Sequence, residues 1–584
     1  MRKNRLIILL VLVPLTAAGQ TLRLPSDKLG KPVLFGSRIV DVNRTGGKVF
    51  APGQRSISPA LMEFRLDSTG NAVLLPAGFK PHPNEGRRMQ KGRMRHDRPI
   101  HLPVIGRDAD GCLLLDVSEA FSTYPEQASA IPPKMLESDR LVDGRIVSTR
   151  ETPDYLQVTG IYRYSSGLEV TAACYLLFLR EDKMPERPVL KYYYSLEYRK
   201  PDGRKGLYSQ RWDLSRRSTI DFYVDKAFPE SWYPYIKEGL EDWNKAFEAA
   251  GLGKVVSVHP EPDDESFDRY SPLVNMVRYM DVEEANAKGD VLCDPRSGEI
   301  LQGDILWWKN VVDLITGWRY VQTGAADPMA RLKEYPLEML GPMIRHSVCH
   351  EMGHVLGLNH NLGASWSYPT DSLRSPSFTR EYGTSASVMD YARYNHLASA
   401  EDVEAGVNLL PPRLGPYDYY AIACGYGDGI PEETEYCYYA PMISAAISPD
   451  PSAQAESLGN DLLASSKAGI RNCKALLELD GLDEGRTGLL RKYYYRYLWL
   501  SLSNIGGKVD GEPVPWKLQK KTLIFVSNGL TGVPPALKDL REERRILDEL
   551  DGNFLPDRVL KNSGPDVFKA YVRKTRRIKN KSYH

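Results

Sequence analysis

The chain has 584 residues, a length that suggests about four domain-sized units. Lys and Arg number 76 against 75 Asp and Glu, so a formal charge of +1 supplies no overall drive toward DNA or RNA. Hydrophobic residues make up 42%, enough for sizeable cores, which excludes wholesale disorder.

The first segment reads as an export signal. Arg2, Lys3 and Arg5 make a positive start, Leu6 to Leu15 is an apolar run, and Thr16 to Gln20 supply small residues for cleavage. The run is shorter than the ~20 residues a bilayer span needs, and no later apolar stretch reaches that length. Residues 1–19 are therefore expected to be a signal peptide. The chain is expected to have no transmembrane span and to be exported: periplasmic, cell-surface or secreted.

Residues 20–215 form a β-rich stretch. Leu156–Tyr164, Leu168–Leu179 and Leu190–Tyr198 are aromatic or β-branched runs broken by Gly, Pro and charge. Asn84 to Arg98 carries Arg87, Arg88, Lys91, Arg93, Arg95 and Arg98, either a solvated loop or a protease-sensitive segment. The region is an accessory domain or a prodomain, and both readings stay open.

Residues 216–430 read as an α/β unit. Ile220–Val224 is a predicted strand, and Pro229 opens a helix in which Trp232, Ile236, Leu240, Trp243 and Phe247 recur at helical spacing up to Gly251. Val255–His259, Asn275–Tyr279 and Leu301–Trp307 are further predicted strands. A long helix is expected from Leu337 or Pro342 to Leu356. Residues 431–584 look mostly helical and end in a short basic tail, a weak nucleic-acid signal. Seven scattered cysteines contain no Cys-x-x-Cys pair, and only Cys424 and Cys437 are close enough in sequence to suggest a disulfide.

The chemistry concentrates in His350-Glu351-Met352-Gly353-His354-Val355-Leu356-Gly357-Leu358-Asn359-His360, the pattern HExxHxxGxxH. Four helical residues leave His350 and His354 about 40° apart around the axis and about 6 Å along it, so two imidazoles share one face. Gly357 can take a left-handed conformation, end the helix and return His360 to the same ion. Three neutral imidazoles with an open position describe catalytic rather than structural Zn2+. Glu351 points aside from the ligands and can take a proton from the attacking water and pass it to the leaving amine.

Ser387-Val388-Met389-Asp390-Tyr391 follows. With the long motif, this segment resembles the metzincin clan of zinc metalloproteases. The resemblance implies that Met389 is the Met-turn beneath the zinc site. It also places Tyr391 where some metzincins carry a tyrosine that binds zinc and swings away to stabilise the transition state. Asp390 stands where histidine is common in those families. Phe222 to Asp225, Glu238 to Phe247, Asp294 to Ile300 and Gly415 to Ile422 resemble segments of large bacterial envelope metzincins with β-rich N-terminal domains of unassigned function, a similarity covering most of residues 21–430. In metzincins the strand before the zinc helix forms the rim of the cleft, where a peptide can add as a strand. Leu301–Trp307 is the candidate rim, and Trp307 and Trp308 either shape a pocket or pack on the strand face.

Other residues were weighed against the site. His346 reads as cleft wall or solvated helix start, Cys349 as a buried small side chain, and His396 as a surface residue. Asp263, Asp264 and Glu265 read as a solvated turn rather than a calcium site. The expectation is a multidomain α+β protein: a β-rich N-terminal region, a metzincin-like α/β catalytic domain with a zinc-binding helix, and a mostly helical C-terminal region. Its expected activity is that of a zinc metalloendopeptidase on peptide or protein substrates, with His350, His354 and His360 on the metal and Glu351 and Tyr391 catalytic. The alternatives are a surface or periplasmic binding protein with a silent metzincin domain, and a zinc hydrolase acting on a non-peptide amide.

Overall fold

The computed structural model describes residues 20–43, 51–77, 82–83, 99–122, 140–199, 205–442, 448–479 and 482–550. Residues 1–19, expected to be a signal peptide, the arginine-dense stretch at 84–98 and the basic C-terminal tail lie outside the described residues.

The N-terminal region is β-rich, as expected. Its largest layer is a seven-stranded antiparallel sheet with Ile100–Leu102 at one edge and Leu141–Glu151 at the other. The central strands Pro32–Val42 and Glu169–Phe178 are buried along most of their length. Apolar residues at alternating positions explain one buried face, including Val33, Phe35, Cys174 and Leu176, which meet Leu113 and Leu115 of a small neighbouring sheet.

The second region is a five-stranded sheet with helices. Its order is Val256–Pro260, Ile220–Val224, Asn275–Met280, Ile300–Trp308, Ala287–Cys293. The first four are mutually parallel and the last is antiparallel to its neighbour. The strand expected at Leu301–Trp307 is therefore interior. The cleft-rim assignment made for it falls instead to Ala287–Cys293, the edge strand that lies against the long helix. Trp307 is fully buried and packs on Phe228 and Trp232, so it is a strand-face residue and shapes no pocket.

The two regions are joined by buried charge. Arg38 of the N-terminal sheet pairs with Asp304, which also accepts Arg278 Nε at 3.0 Å, and all three side chains are essentially inaccessible. Arg55 reaches Asp290 and Gln302 across the same boundary.

The long helix spans Leu337–Val355 and tolerates Pro342 in its second turn. Helix Val311–Thr323 is shared: Ile315 faces the core of the five-stranded sheet, while Tyr320 and Val321 pack with Leu462–Leu477 and Glu484–Ser501 of the C-terminal region. The C-terminal region is mostly helical and is built onto the second region through that helix. No helix among the described residues is long and apolar enough to cross a membrane. No disulfide joins any of the seven cysteines, so Cys424 and Cys437 are not bonded to each other.

Candidate metal centre and active site

The long helix presents His350 and His354 on one face, with imidazole centroids 4.9 Å apart. It ends at Val355, and Gly357 adopts φ +93°, a conformation costly for any residue with a Cβ. The chain then reverses and sets the His360 ring 4.4 Å from His354 and 5.2 Å from His350. This return is pinned from the N-terminal region: Tyr194 N–H donates to the Gly357 carbonyl at 2.8 Å, and Asn359 N–H donates to the Tyr192 carbonyl at 2.9 Å. The indole N–H of Trp212 donates to the Val355 carbonyl at 2.9 Å.

The three imidazoles offer ligand atoms that all lie within 4.8 Å of one another. His350 Nδ1 faces the Val388 carbonyl at 2.7 Å, and His354 Nδ1 faces the Leu358 carbonyl at 2.8 Å. A carbonyl accepts only, so both Nδ1 atoms carry hydrogen and both Nε2 atoms offer lone pairs. His354 Nε2 nevertheless sits 3.1 Å from His360 Nε2. With a hydrogen on His360 Nε2 this is an N–H···N hydrogen bond, and with the hydrogen on His360 Nδ1 both lone pairs can face one cation. Nitrogens about 2.0–2.1 Å from one tetrahedral ion would stand roughly 3.4 Å apart, so the donor set fits zinc. Burial pushes the His354 imidazolium down to about 4 and that of His350 well below its ordinary range, which keeps the rings neutral and ligand-competent.

Glu351 leaves the ligand face toward the edge strand. Its Oε2 accepts the Gly289 N–H at 2.7 Å, and Oε1 accepts no hydrogen bond among the described residues. Burial raises its carboxyl to about 7, against the pull of the Gly289 hydrogen bond. A carboxylate with that proton affinity is suited to accept and return a proton near neutrality.

Met389 lies under the helix and is fully buried. A Cβ at Gly353 would collide with Met389 Sδ and come within 2.8 Å of the Trp243 ring. Gly353→Ala is expected to destabilise the protein by about 1–3 kcal/mol through overpacking, read as a lowered thermal midpoint. An unchanged midpoint would mean that Met389 and Trp243 give way freely.

The turn carrying Met389 is held by Asp418, whose placing role was not apparent from the sequence. Its carboxylate accepts Ser387 Oγ at 2.6 Å, Val388 N–H at 2.8 Å and Gly415 N–H at 2.9 Å. The same carboxylate caps helix Pro416–Tyr426 and orients the carbonyl that fixes His350. The resemblance of Gly415 to Ile422 to metzincin segments marked this stretch, but not the turn it supports. Tyr391 stands against the triad, its ring 5.5 Å from His350 and 4.4 Å from His360. Asp390 points away and is buried, accepting Ser365 N–H at 2.8 Å and Ser385 Oγ at 2.7 Å.

His346 stays outside the ligand set. Its Nδ1 faces the Pro412 carbonyl at 2.7 Å and its ring is 6.4 Å from that of His350. Cys349 is buried in the core as expected. His396 is not at the surface: it is fully buried, with Nε2 2.9 Å from Ser465 Oγ, because the C-terminal helices cover it. Asp263 and Glu265 are exposed, and Asp264 accepts the Ser266 N–H at 2.8 Å in a tight turn.

Residues 333–571 match the family described as Met-zincin. The matched segment carries the histidine triad, which fits the zinc site of a metzincin. It includes the long helix, all three histidines and Met389, and it runs past residue 430 into the C-terminal helices. Neither a curated protein nor a solved structure matches the chain. The metzincin match and the histidine triad together support a zinc metalloprotease-type hydrolase.

Proposed function

We propose that the protein is an exported zinc endopeptidase. The observation that carries this reading is Glu351 beside three convergent imidazoles, its Oε2 fixed by the edge strand and its Oε1 accepting no hydrogen bond among the described residues. His350, His354 and His360 would hold the metal. Zinc, when bound, supplies a Lewis acid that polarises a peptide carbonyl and acidifies water. Glu351 Oε1 takes the proton of the attacking water and delivers it to the departing amine. An extended peptide can align with the outer edge of Ala287–Cys293 beyond Gly289, whose N–H Glu351 already takes, beside the zinc helix. Tyr391 is positioned to stabilise charge that develops at the reacting carbonyl.

A silent binding protein is the rival reading. Metal binding alone does not require Glu351, and its fixed placement on Gly289 favours catalysis. The deciding experiment is cleavage of casein or a peptide library by the purified chain, with a chelator control. Chelator-insensitive cleavage, or none after zinc loading, would sink the reading.

The purified chain is expected to hold about one zinc with three nitrogen ligands. His354→Ala should lose most of it. An X-ray absorption spectrum dominated by sulfur would contradict this donor set.

Residues 20–215 are proposed to be a permanent accessory domain rather than a removable prodomain. Support comes from the buried Arg38–Asp304 pair and from Tyr192 and Tyr194 bracing the loop that carries His360. Export rests on the composition of residues 1–20, and cell fractionation tests it.

A further inference from the structure

Two residues after Tyr391 the backbone is strained. Arg393 has φ +61°, a left-handed conformation that costs a residue with a Cβ about 1–2 kcal/mol. The strain places its guanidinium carbon 3.6 Å from the Trp318 ring centroid and 4.1 Å from that of Tyr391. All three side chains are only partly buried, so the stack stands on an accessible wall.

A guanidinium covered on its faces by two rings keeps its N–H groups in its own plane, directed outward. Among the described residues no carboxylate pairs with Arg393, and its Nε is buried without a hydrogen-bond partner. Glu456, whose backbone N–H donates to the Tyr391 carbonyl at 2.8 Å, has its carboxylate occupied by Tyr493 Oη at 3.1 Å and Arg496 Nε at 3.2 Å. Glu351 is held by Gly289. A pre-oriented cation, in no ion pair with a carboxylate among the described residues, thus stands one aromatic ring away from His360.

We infer that Arg393 is a specificity-determining residue that receives a substrate carboxylate near the cleaved bond. This rests on the peptidase reading above. An extended chain rises about 3.3 Å per residue, so the carboxylate belongs within about three residues of the scissile bond. Two sources share that chemistry: an Asp or Glu side chain, and the free C-terminus of a short peptide. The planar fork suits either, because carboxylates bind guanidinium edges bidentately.

The test uses the full-length, zinc-loaded protein and a peptide library read by mass spectrometry, with free and amidated C-termini in parallel. Wild type is expected to favour sites with Asp or Glu within three residues of the cut by about tenfold over Asn or Gln, the scale of one charge-assisted bond. Loss of cleavage on amidation would instead identify the C-terminal carboxylate as the ligand. R393Q should abolish the preference while neutral peptides are still cut, and R393E should turn it toward Lys and Arg. A wild type indifferent to both acidic residues and amidation overturns the inference. So does an R393Q that slows every peptide by the same factor, the mark of a purely structural stack. If wild type cleaves nothing, the peptidase reading fails and the same library is passed over immobilised zinc-loaded protein. Selective retention of carboxylate-bearing peptides by wild type and not by R393Q would then uphold the role of Arg393, and equal retention would end it.

Discussion

Glu351→Ala is expected to retain zinc and lose about 10²–10⁴-fold in kcat, the usual contribution of a general acid–base group. The reason is positional. Glu351 accepts the Gly289 N–H of the edge strand, whereas the three imidazoles form the ligand set without it. Removing the carboxylate therefore deletes the proton carrier without deleting a ligand. Glu351→Gln keeps an acceptor for the Gly289 N–H and should lose turnover to a similar degree. If the glutamine variant kept wild-type turnover while alanine lost it, the side chain would be bracing the edge strand rather than moving protons. Metal content measured beside kcat separates these cases, and wild-type turnover in both variants would refute the mechanism.

The second large effect concerns stability. Asp304 is fully buried with Arg38 and Arg278 against one carboxylate oxygen, while Met276 N–H at 2.9 Å and Gln302 Nε2 at 2.7 Å satisfy the other. Asp304→Ala would leave two guanidiniums facing each other without water. Breaking one side of such a buried arrangement costs about 3–5 kcal/mol. Burial alone would raise the Asp304 carboxyl, but Arg278, Arg38 and Arg55 outweigh it and hold the group below the usual carboxylate range. A depressed folded pKa contributes stability that is present above the unfolded value, about 3.9, and is lost as pH falls through the folded value. Urea unfolding should therefore show an early transition that moves to lower denaturant below about pH 4, and already at pH 7 in Asp304→Ala. Because the pair joins the two regions, that transition should report loss of contact between the N-terminal sheet and the catalytic sheet. An Asp304→Ala variant as stable as wild type would show that the regions do not depend on this junction.

This junction also bears on latency. A prodomain must leave, and leaving here would expose Arg38 and Asp304 and withdraw Tyr192 and Tyr194 from the His360 loop. The β-rich character of residues 20–215 was legible from alternating apolar runs, but their docking was not. A lone arginine in a strand carries no signal of a carboxylate 266 residues away.

The site divides in the same way. The helix, its two ligands and the glycine turn were readable because they depend on residues no more than ten apart and on one period, that of the α-helix. The edge strand Ala287–Cys293 was missed because Lys288, Gly289 and Asp290 interrupt any apolar alternation. Leu301–Trp307 was misplaced at the rim because its long apolar run marks a strand but not its neighbours. His396 was misread as a surface residue since an isolated histidine has no periodicity to reveal burial.

By itself, the sequence indicated the α+β class, the three histidines and the place of Glu351 beside them, because local spacing encodes which side chains share a helix face or follow a turn. The Met389–Tyr391 segment was legible only through its resemblance to metzincins. Only the tertiary structure decided that Gly289 holds Glu351 across 62 residues of chain, that Asp418 braces the turn under the metal site across 30, and that Arg393 stands stacked on Trp318 and Tyr391. Those contacts arise when separate elements pack, and packing is set by the shapes and charges of whole surfaces rather than by the spacing of residues along one strand or helix.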